Sequence, residues 1–140
     1  MKKLFAMMMA VLMVVGMFAG CGESAGGRGD AIKIGLSGPF TGDNAVYGNA
    51  VKWGMEVAVE EINAMGGLQI EFNPQDDASD NEKAANAYAT LMDWDMQIFA
   101  GAVTTGPCLS IAPATVEDQM FMMTPSGSSD KIPATGDNIY

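Results

Sequence analysis

The pattern of apolar and polar residues predicts a strand followed by a helix, with folding beginning near residue 31. Ile32 to Leu36 alternates briefly and then meets the breakers Ser37-Gly38-Pro39, which is typical of a strand and its turn. A helix is expected from about Tyr47 to Met65, because apolar residues recur there every three or four positions. Gly66-Gly67 marks its end, since glycine favours the conformation that terminates helices.

The same order of strand and helix repeats along the rest of the chain. A second strand is expected at Leu68 to Phe72 and a third at Met96 to Val103, with a helix between them that opens on the capping box Ser79 to Glu82. The remaining predicted elements are a helix with a threonine cap at Thr104-Thr105 that reaches about Asp118 with a kink or early break at Pro113, and a fourth strand at Met120 to Thr124.

Strands that alternate with helices over short connections predict an α/β fold, a doubly wound, mostly parallel sheet with helices on both faces. Residues 137–140 read as the start of a further strand. The domain in residues 31–140 is therefore expected to be incomplete.

The first 20 residues predict a secretory signal, with two lysines ahead of an uncharged stretch from Leu4 to Gly20. That stretch is shorter than the about 20 residues of a membrane span. Phe18-Ala19-Gly20-Cys21 resembles the lipobox of bacterial lipoproteins, which implies cleavage before Cys21 and acylation of its thiol. Residues 21–30, rich in glycine, are expected to be a flexible tether. The protein is thus expected on the extracytoplasmic face of a membrane, in a periplasm or at a cell surface.

Charge and composition narrow the function further. Without the two lysines of the signal, the remaining chain has five basic and 17 acidic residues, a net charge of 5 − 17 = −12, which argues against a nucleic-acid partner. The sequence contains no histidine, so it lacks the commonest general base and the commonest metal ligand. No enzymatic activity and no cofactor are expected. Cys108 is expected to be a small buried residue.

In an open parallel sheet the ligand site lies beyond the carboxyl ends of the strands. Two of the predicted loops there are rich in hydroxyl groups and glycine, and both are expected to lead into helices whose first N–H groups attract anions. A small ligand with a carboxylate is therefore expected. The residues that would contact it are Tyr47, Thr104, Thr105, Ser126, Gly127 and Ser128.

Other interpretations of these residues remain open at this point. Thr105 and Ser128 would serve equally as helix caps, and Tyr47 as a packing residue at a helix start. The acidic group at Asp76, Asp77 and Asp80 suggests a metal site, but it lacks the glycine and the distal glutamate of a calcium loop. The glycines near residue 40 form neither of the common nucleotide-binding motifs.

Four motifs together resemble the start of a leucine/isoleucine/valine-binding protein, the branched-chain amino-acid type of type I periplasmic binding protein: GP-x-[ST]-G at 38–42, EEINA-x-GG at 60–67, DDASD at 76–80 and TPS at 124–126. The resemblance implies two lobes that close over a ligand. Residues 31–140 would be the N-terminal part of the first lobe, without the second.

The resemblance also implies roles for the predicted site residues. The ligand carboxylate would accept hydrogen bonds from the hydroxyls and backbone N–H groups of Thr105 and Ser128, and the ammonium would donate to the Ser126 carbonyl. Tyr47 matches the family's aromatic position. Some members carry cysteines where Ser79 and Thr104 stand here, so their disulfide is missing, and the residues of the binding turn vary.

The leading hypothesis is a lipid-anchored receptor that delivers an amino acid or a similar small carboxylate or amide to the permease of an ABC importer. The alternative is a ligand-sensing module of a signalling receptor, which a neighbouring kinase segment rather than permease genes would indicate. A hydrolase or transferase would need an activated nucleophile, and the sequence offers none.

Overall fold

A computed structural model describes residues 31–140, and the expected signal, Cys21 and the tether lie outside the described residues. Three strands form the sheet: β1 (Ile32–Gly38), β2 (Ile70–Asp76) and β3 (Ile98–Ala102). Three helices connect or follow them: α1 (Ala45–Ala64), α2 (Asn81–Asp93) and α3 (Thr105–Glu117). A 3-10 turn occupies Pro133–Thr135.

The sheet is parallel throughout, with the strand order β2-β1-β3. β1 pairs with β2 from Ile32 opposite Ile70 to Gly38 opposite Asp76, so β2 extends further than the sequence pattern indicated. Pro74 lies within β2, which is an edge strand of the sheet that residues 31–140 form. A proline is tolerated there because an edge strand has a free side on which no N–H is needed.

The core lies on both faces of the sheet, as a doubly wound fold requires. Leu36 and Val103 pack with Val51 and Met55 of α1 on one face. The other face holds a larger cluster under α2 and α3, whose largest fully buried members are Phe99, Leu91, Ile111, Met122 and Ile132. The rings of Phe99 and Tyr88 meet edge to face, with 5.3 Å between their centroids. The expected α/β fold is confirmed.

The predicted fourth strand at Met120 to Thr124 is wrong as a regular strand. Met122 makes only single parallel bridges, to Phe99 on one side and to Ile139 on the other. Gly101 lies at the interruption: its φ of 76° is outside the range of a regular strand, and the carbonyl of Met123 lies where a side chain would begin. The expected strand at 137–140 is likewise reduced to the bridge at Ile139.

Two further expectations about helix ends are corrected. The N-cap of α2 is Asp80, whose carboxylate accepts from the Lys83 N–H at 2.8 Å, and the predicted box at Ser79 does not form. Ser79 has a φ of 61°, and its hydroxyl bonds to Asn44 in the loop after β1 and does not cap the helix. α3 continues past Pro113 to Glu117, so the early break that was one of the two expectations for this helix does not occur. Between residues 31 and 140, none of the helices has both the length and the apolar character of a membrane span.

Candidate functional site

The loops that follow the parallel strands gather at one edge of the sheet. This edge receives the segments after Gly38, Asp76 and Ala102, because all three strands point the same way. The bridge between Phe99 and Met122 is parallel too, so the turn after Thr124 emerges at the same edge. The topology therefore places both hydroxyl-rich turns side by side.

The first hydroxyl-rich turn joins β3 to α3. Thr104 occupies the N-cap position and Thr105 is the first helical residue. The first intrahelical hydrogen bond runs from the Cys108 N–H to the Thr104 carbonyl at 3.0 Å, so the N–H groups of Thr105 and Gly106 precede it. The half-buried Thr105 thus presents a hydroxyl and a free helix end together.

The second turn, residues 125–129, is tied directly to the first. The Ser128 N–H donates to the Thr105 hydroxyl oxygen at 3.2 Å. This bond uses the backbone N–H that Ser128 was expected to offer a ligand, but it leaves the Thr105 hydroxyl proton available. Ser126 and Ser128 are exposed, and Gly127 between them is half-buried.

The capping alternative for Thr105 and Ser128 is wrong. Thr104, not Thr105, holds the N-cap position of α3, and its side chain makes no capping hydrogen bond. No helix begins after Ser128; the chain runs through an irregular segment to the 3-10 turn at Pro133–Thr135. The expectation that the second turn leads to a helix N-terminus is wrong for the same reason.

Tyr47 lies in the first turn of α1, at the same edge of the sheet. The residue is 58% exposed, so it is not the packing residue of the alternative interpretation. The next residue, Gly48, fixes this helix end against the β1 loop, because the carbonyl of Pro39 stands where a side chain would begin. Tyr47 is therefore free to face a ligand, and no hydrogen bond joins it to Thr105 or Ser128.

Ser79 is a residue of this edge that the sequence analysis assigned to a helix cap. Its hydroxyl oxygen accepts from Asn44 Nδ2 at 3.0 Å and lies 3.5 Å from Thr104 Oγ1. Ser79 thus connects the loop after β1 with the turn after β3. The one signal for this placement was the resemblance, in which some members carry cysteines at these two positions.

The acidic residues at the end of β2 and in the loop after it accept hydrogen bonds from different partners. Asp76 accepts from the Thr41 hydroxyl at 2.6 Å and from the Phe40 N–H at 2.8 Å. Burial alone would raise the pKa of Asp76, but these hydrogen bonds and that from the Ala78 N–H hold it below its ordinary value. Asp80 caps α2. Within residues 31–140 no group of three metal-ligating side chains comes together.

Asp77 is fully buried beneath this edge. Its carboxylate accepts from the Ser37 hydroxyl at 2.7 Å and from the Ser79 N–H at 2.8 Å. Burial raises the pKa of Asp77, and the two hydrogen bonds offset part of that effect. The bond to Ser79 holds the backbone of the residue that faces Thr104.

A hollow of about 350 Å³ lies at the opposite edge of the sheet and contains none of the expected site residues. Lys33 forms part of its wall, donates to the Trp94 carbonyl at 2.9 Å and lies 5.3 Å from the centre of the Trp94 ring. Its charge is therefore already engaged. The residues of the candidate site are half-buried or exposed at the carboxyl edge of the strands.

Comparison with known proteins bears on this arrangement. A family model described as "Periplasmic binding protein" matches residues 31–140. The chain is 32% identical to Leu/Ile/Val-binding protein homolog 3 of Brucella melitensis over 78% of its own length and 31% of that protein's. It is 35% identical to a leucine-, isoleucine-, valine-, threonine- and alanine-binding protein of Pseudomonas aeruginosa, over 76% of this chain and 30% of the relative.

A solved structure shows the same architecture. The substrate-binding protein of a branched-chain amino-acid transporter from Streptococcus pneumoniae, in complex with isoleucine, superposes with a TM-score of 0.75 and 29% identity. The alignment covers 79% of this chain and 33% of that structure. The chain thus spans about a third of the length of the relatives it matches.

Proposed function

Because this chain belongs to the periplasmic binding protein family, as its motifs indicated, we propose that it binds the solute of an ABC importer, a branched-chain type amino acid or a similar small carboxylate or amide. The observation that carries the proposal is the bond between the Ser128 N–H and the Thr105 hydroxyl, which joins two hydroxyl-bearing turns at the ligand edge of the sheet.

The α-carboxylate of the ligand lies against the N-terminus of α3. It accepts from the Thr105 hydroxyl, from the N–H groups of Thr105 and Gly106, and from the Ser128 hydroxyl, because these donors precede the first intrahelical bond or are exposed. Ser126 offers its carbonyl to the ammonium group. Thr104 and Gly127 shape the two turns, and Tyr47 supplies an aromatic wall.

The remaining features of the proposal concern the cell. Cys21 carries the lipid that holds the protein to the extracytoplasmic face of a membrane, where it delivers its ligand to a permease. The protein catalyses no reaction, since its family binds solutes and its sequence contains no histidine to activate a nucleophile. No cofactor and no nucleic acid take part.

The proposal is tested by amide NMR titration of the 140-residue chain with a panel of amino acids, amides and aromatic acids. We expect one lobe to bind weakly. Isoleucine has nine non-hydrogen atoms; at about −0.3 kcal/mol for each, its binding free energy is about −3 kcal/mol, which is a Kd of order 10 mM. We expect the amide signals of Thr105, Gly106 and Ser128 to move with a branched-chain amino acid. No movement of these signals with any member of the panel refutes the proposal.

Replacing Thr105 by Val separates a ligand contact from a merely structural one. The loss of a hydrogen bond to a carboxylate costs about 1.5 to 3 kcal/mol, which is half or more of the about 3 kcal/mol of one lobe's binding, so the Kd rises at least about tenfold. Thr90→Val is the matched control, because Thr90 is an exposed threonine of α2 whose hydroxyl donates only to the Asn86 carbonyl, at 2.9 Å. An equal Kd for both variants removes Thr105 from the site.

A further inference from the structure

The hydroxyl of Thr124 lies beneath the two turns of the candidate site and contacts both of the segments that carry them. It donates to the carbonyl of Ala102, the last residue of β3, at 3.0 Å. It also accepts from the Gly127 N–H of the second turn at 2.8 Å. One half-buried side chain therefore joins the end of the strand before the first turn to the middle of the second.

The backbone on either side of this hydroxyl is held in place. The Thr124 N–H donates to the Tyr140 carbonyl at 2.8 Å, which fixes the residue on the side away from Ala102. Gly127 is pressed onto the hydroxyl so closely that an added side chain would begin 2.7 Å from Thr124 Oγ1 and 2.8 Å from Ile132 Cδ1. The second turn has no room to approach the sheet further or to accept a larger residue at Gly127.

The Cys108 thiol lies next to the Thr124 hydroxyl and also bonds the end of β3, but it does not bond the second turn. It donates to the Ala102 carbonyl at 2.8 Å, and its sulfur lies 3.2 Å from Thr124 Oγ1. The Ala102 carbonyl thus keeps a partner if the Thr124 hydroxyl is lost. Within residues 31–140 the Gly127 N–H has no such second partner. Removing the hydroxyl therefore removes one of the two hydrogen bonds that hold the second turn, leaves the other, from Ser128 to Thr105, and leaves the strand end bonded.

From these contacts we propose that Thr124 is a positioning residue of the ligand site: its hydroxyl sets the distance between the Thr105 and Ser128 hydroxyls without contacting the ligand. This inference rests on the proposed function. It differs from a packing role because it depends on a hydroxyl group. Serine should therefore preserve it, and valine, which has the same shape as threonine, should abolish it.

The test compares Thr124→Val with Thr124→Ser in the full chain, using two measurements. In the valine variant we expect the Gly127 amide to exchange with deuterium about tenfold faster, because its acceptor is gone. The Kd for isoleucine should rise about five- to tenfold, and Thr124→Ser should restore both values to within about twofold of the original. Cys108→Ala is the control, since it leaves the bond between Gly127 and Thr124 intact.

The outcomes distinguish this inference from the function on which it rests. If the original chain binds isoleucine and the valine variant binds it equally well, the positioning role is wrong and the proposed function stands. Serine failing to restore affinity also overturns the role, because packing would then be the cause. If the original chain binds no member of the panel, the proposed function fails and the positioning role falls with it.

Discussion

A disulfide introduced between residues 79 and 104 would test the geometry of the candidate site without any ligand. Ser79 Oγ and Thr104 Oγ1 lie 3.5 Å apart, and the two residues belong to the loops after β2 and β3. Because carbon–sulfur bonds are longer than carbon–oxygen bonds, sulfur atoms in place of these oxygens lie closer still. We expect the double variant Ser79→Cys and Thr104→Cys to form the bond on mild oxidation.

The expected gain in stability follows from the length of chain that the bond closes. The loop from Ser79 to Thr104 contains 104 − 79 + 1 = 26 residues. Constraining such a loop in the unfolded state stabilises the folded state by about 3.5 kcal/mol in the chain-entropy account. For a domain of this size that corresponds to a rise in Tm of about 10 °C or more.

Calorimetric unfolding of the oxidised and the reduced double variant measures this difference, and peptide mass spectrometry identifies the bonded cysteines. The two single variants are the controls, since neither can close the loop. The reasoning is refuted if both introduced thiols stay free after oxidation, because the two loops then do not face each other. A bond that forms but lowers the Tm would show that the loops meet only by distorting the edge of the sheet.

Three further predictions concern titratable groups. Because the pKa of Asp77 is raised in the folded state, this carboxyl contributes stability at low pH, and the contribution is lost as the pH rises through the folded-state pKa. The urea unfolding free energy of Asp77→Asn should therefore gain on that of the original chain as the pH rises above about 4. A constant difference between the two would contradict this. The lowered pKa of Asp76 acts in the opposite sense, so Asp76→Asn should lose its disadvantage as the pH falls through the folded-state value. Burial raises the pKa of the Cys108 thiol, and we expect iodoacetamide to alkylate it at least about 100-fold more slowly in the folded chain than in urea; comparable rates would mean that Cys108 is accessible.

The sequence predicts the elements of this fold better than their ends. Spacing of apolar residues located α1 and α2, because α2 buries one apolar stripe against the sheet and α1 packs the half-buried Val51 and Met55 there. The end of β2 was missed because pairing with β1, a tertiary effect, carries the strand through Pro74. The fourth strand was overestimated because its apolar residues fit a strand, whereas the ladder is interrupted at Gly101.

The candidate site, like the fold, could be predicted only in part from the sequence. The general rule for parallel sheets was sufficient to place Thr105 and Ser128 at one edge. The linking residues were not predictable, because Ser79 reaches Asn44 and Thr104 only through the folded backbone. Thr124 likewise bonds the Ala102 carbonyl across 22 positions of the chain. Hydroxyls of this kind leave no periodic signal in a sequence.

Pro74 has a consequence for how copies of this protein behave when they are crowded. The outer side of β2 is a row of backbone groups on which a neighbouring chain could build an additional strand. Near the middle of that row Pro74 has no hydrogen to donate, so an intruding strand would have an interrupted ladder. We infer that this proline discourages assembly into extended sheets along the side of β2 that faces away from β1.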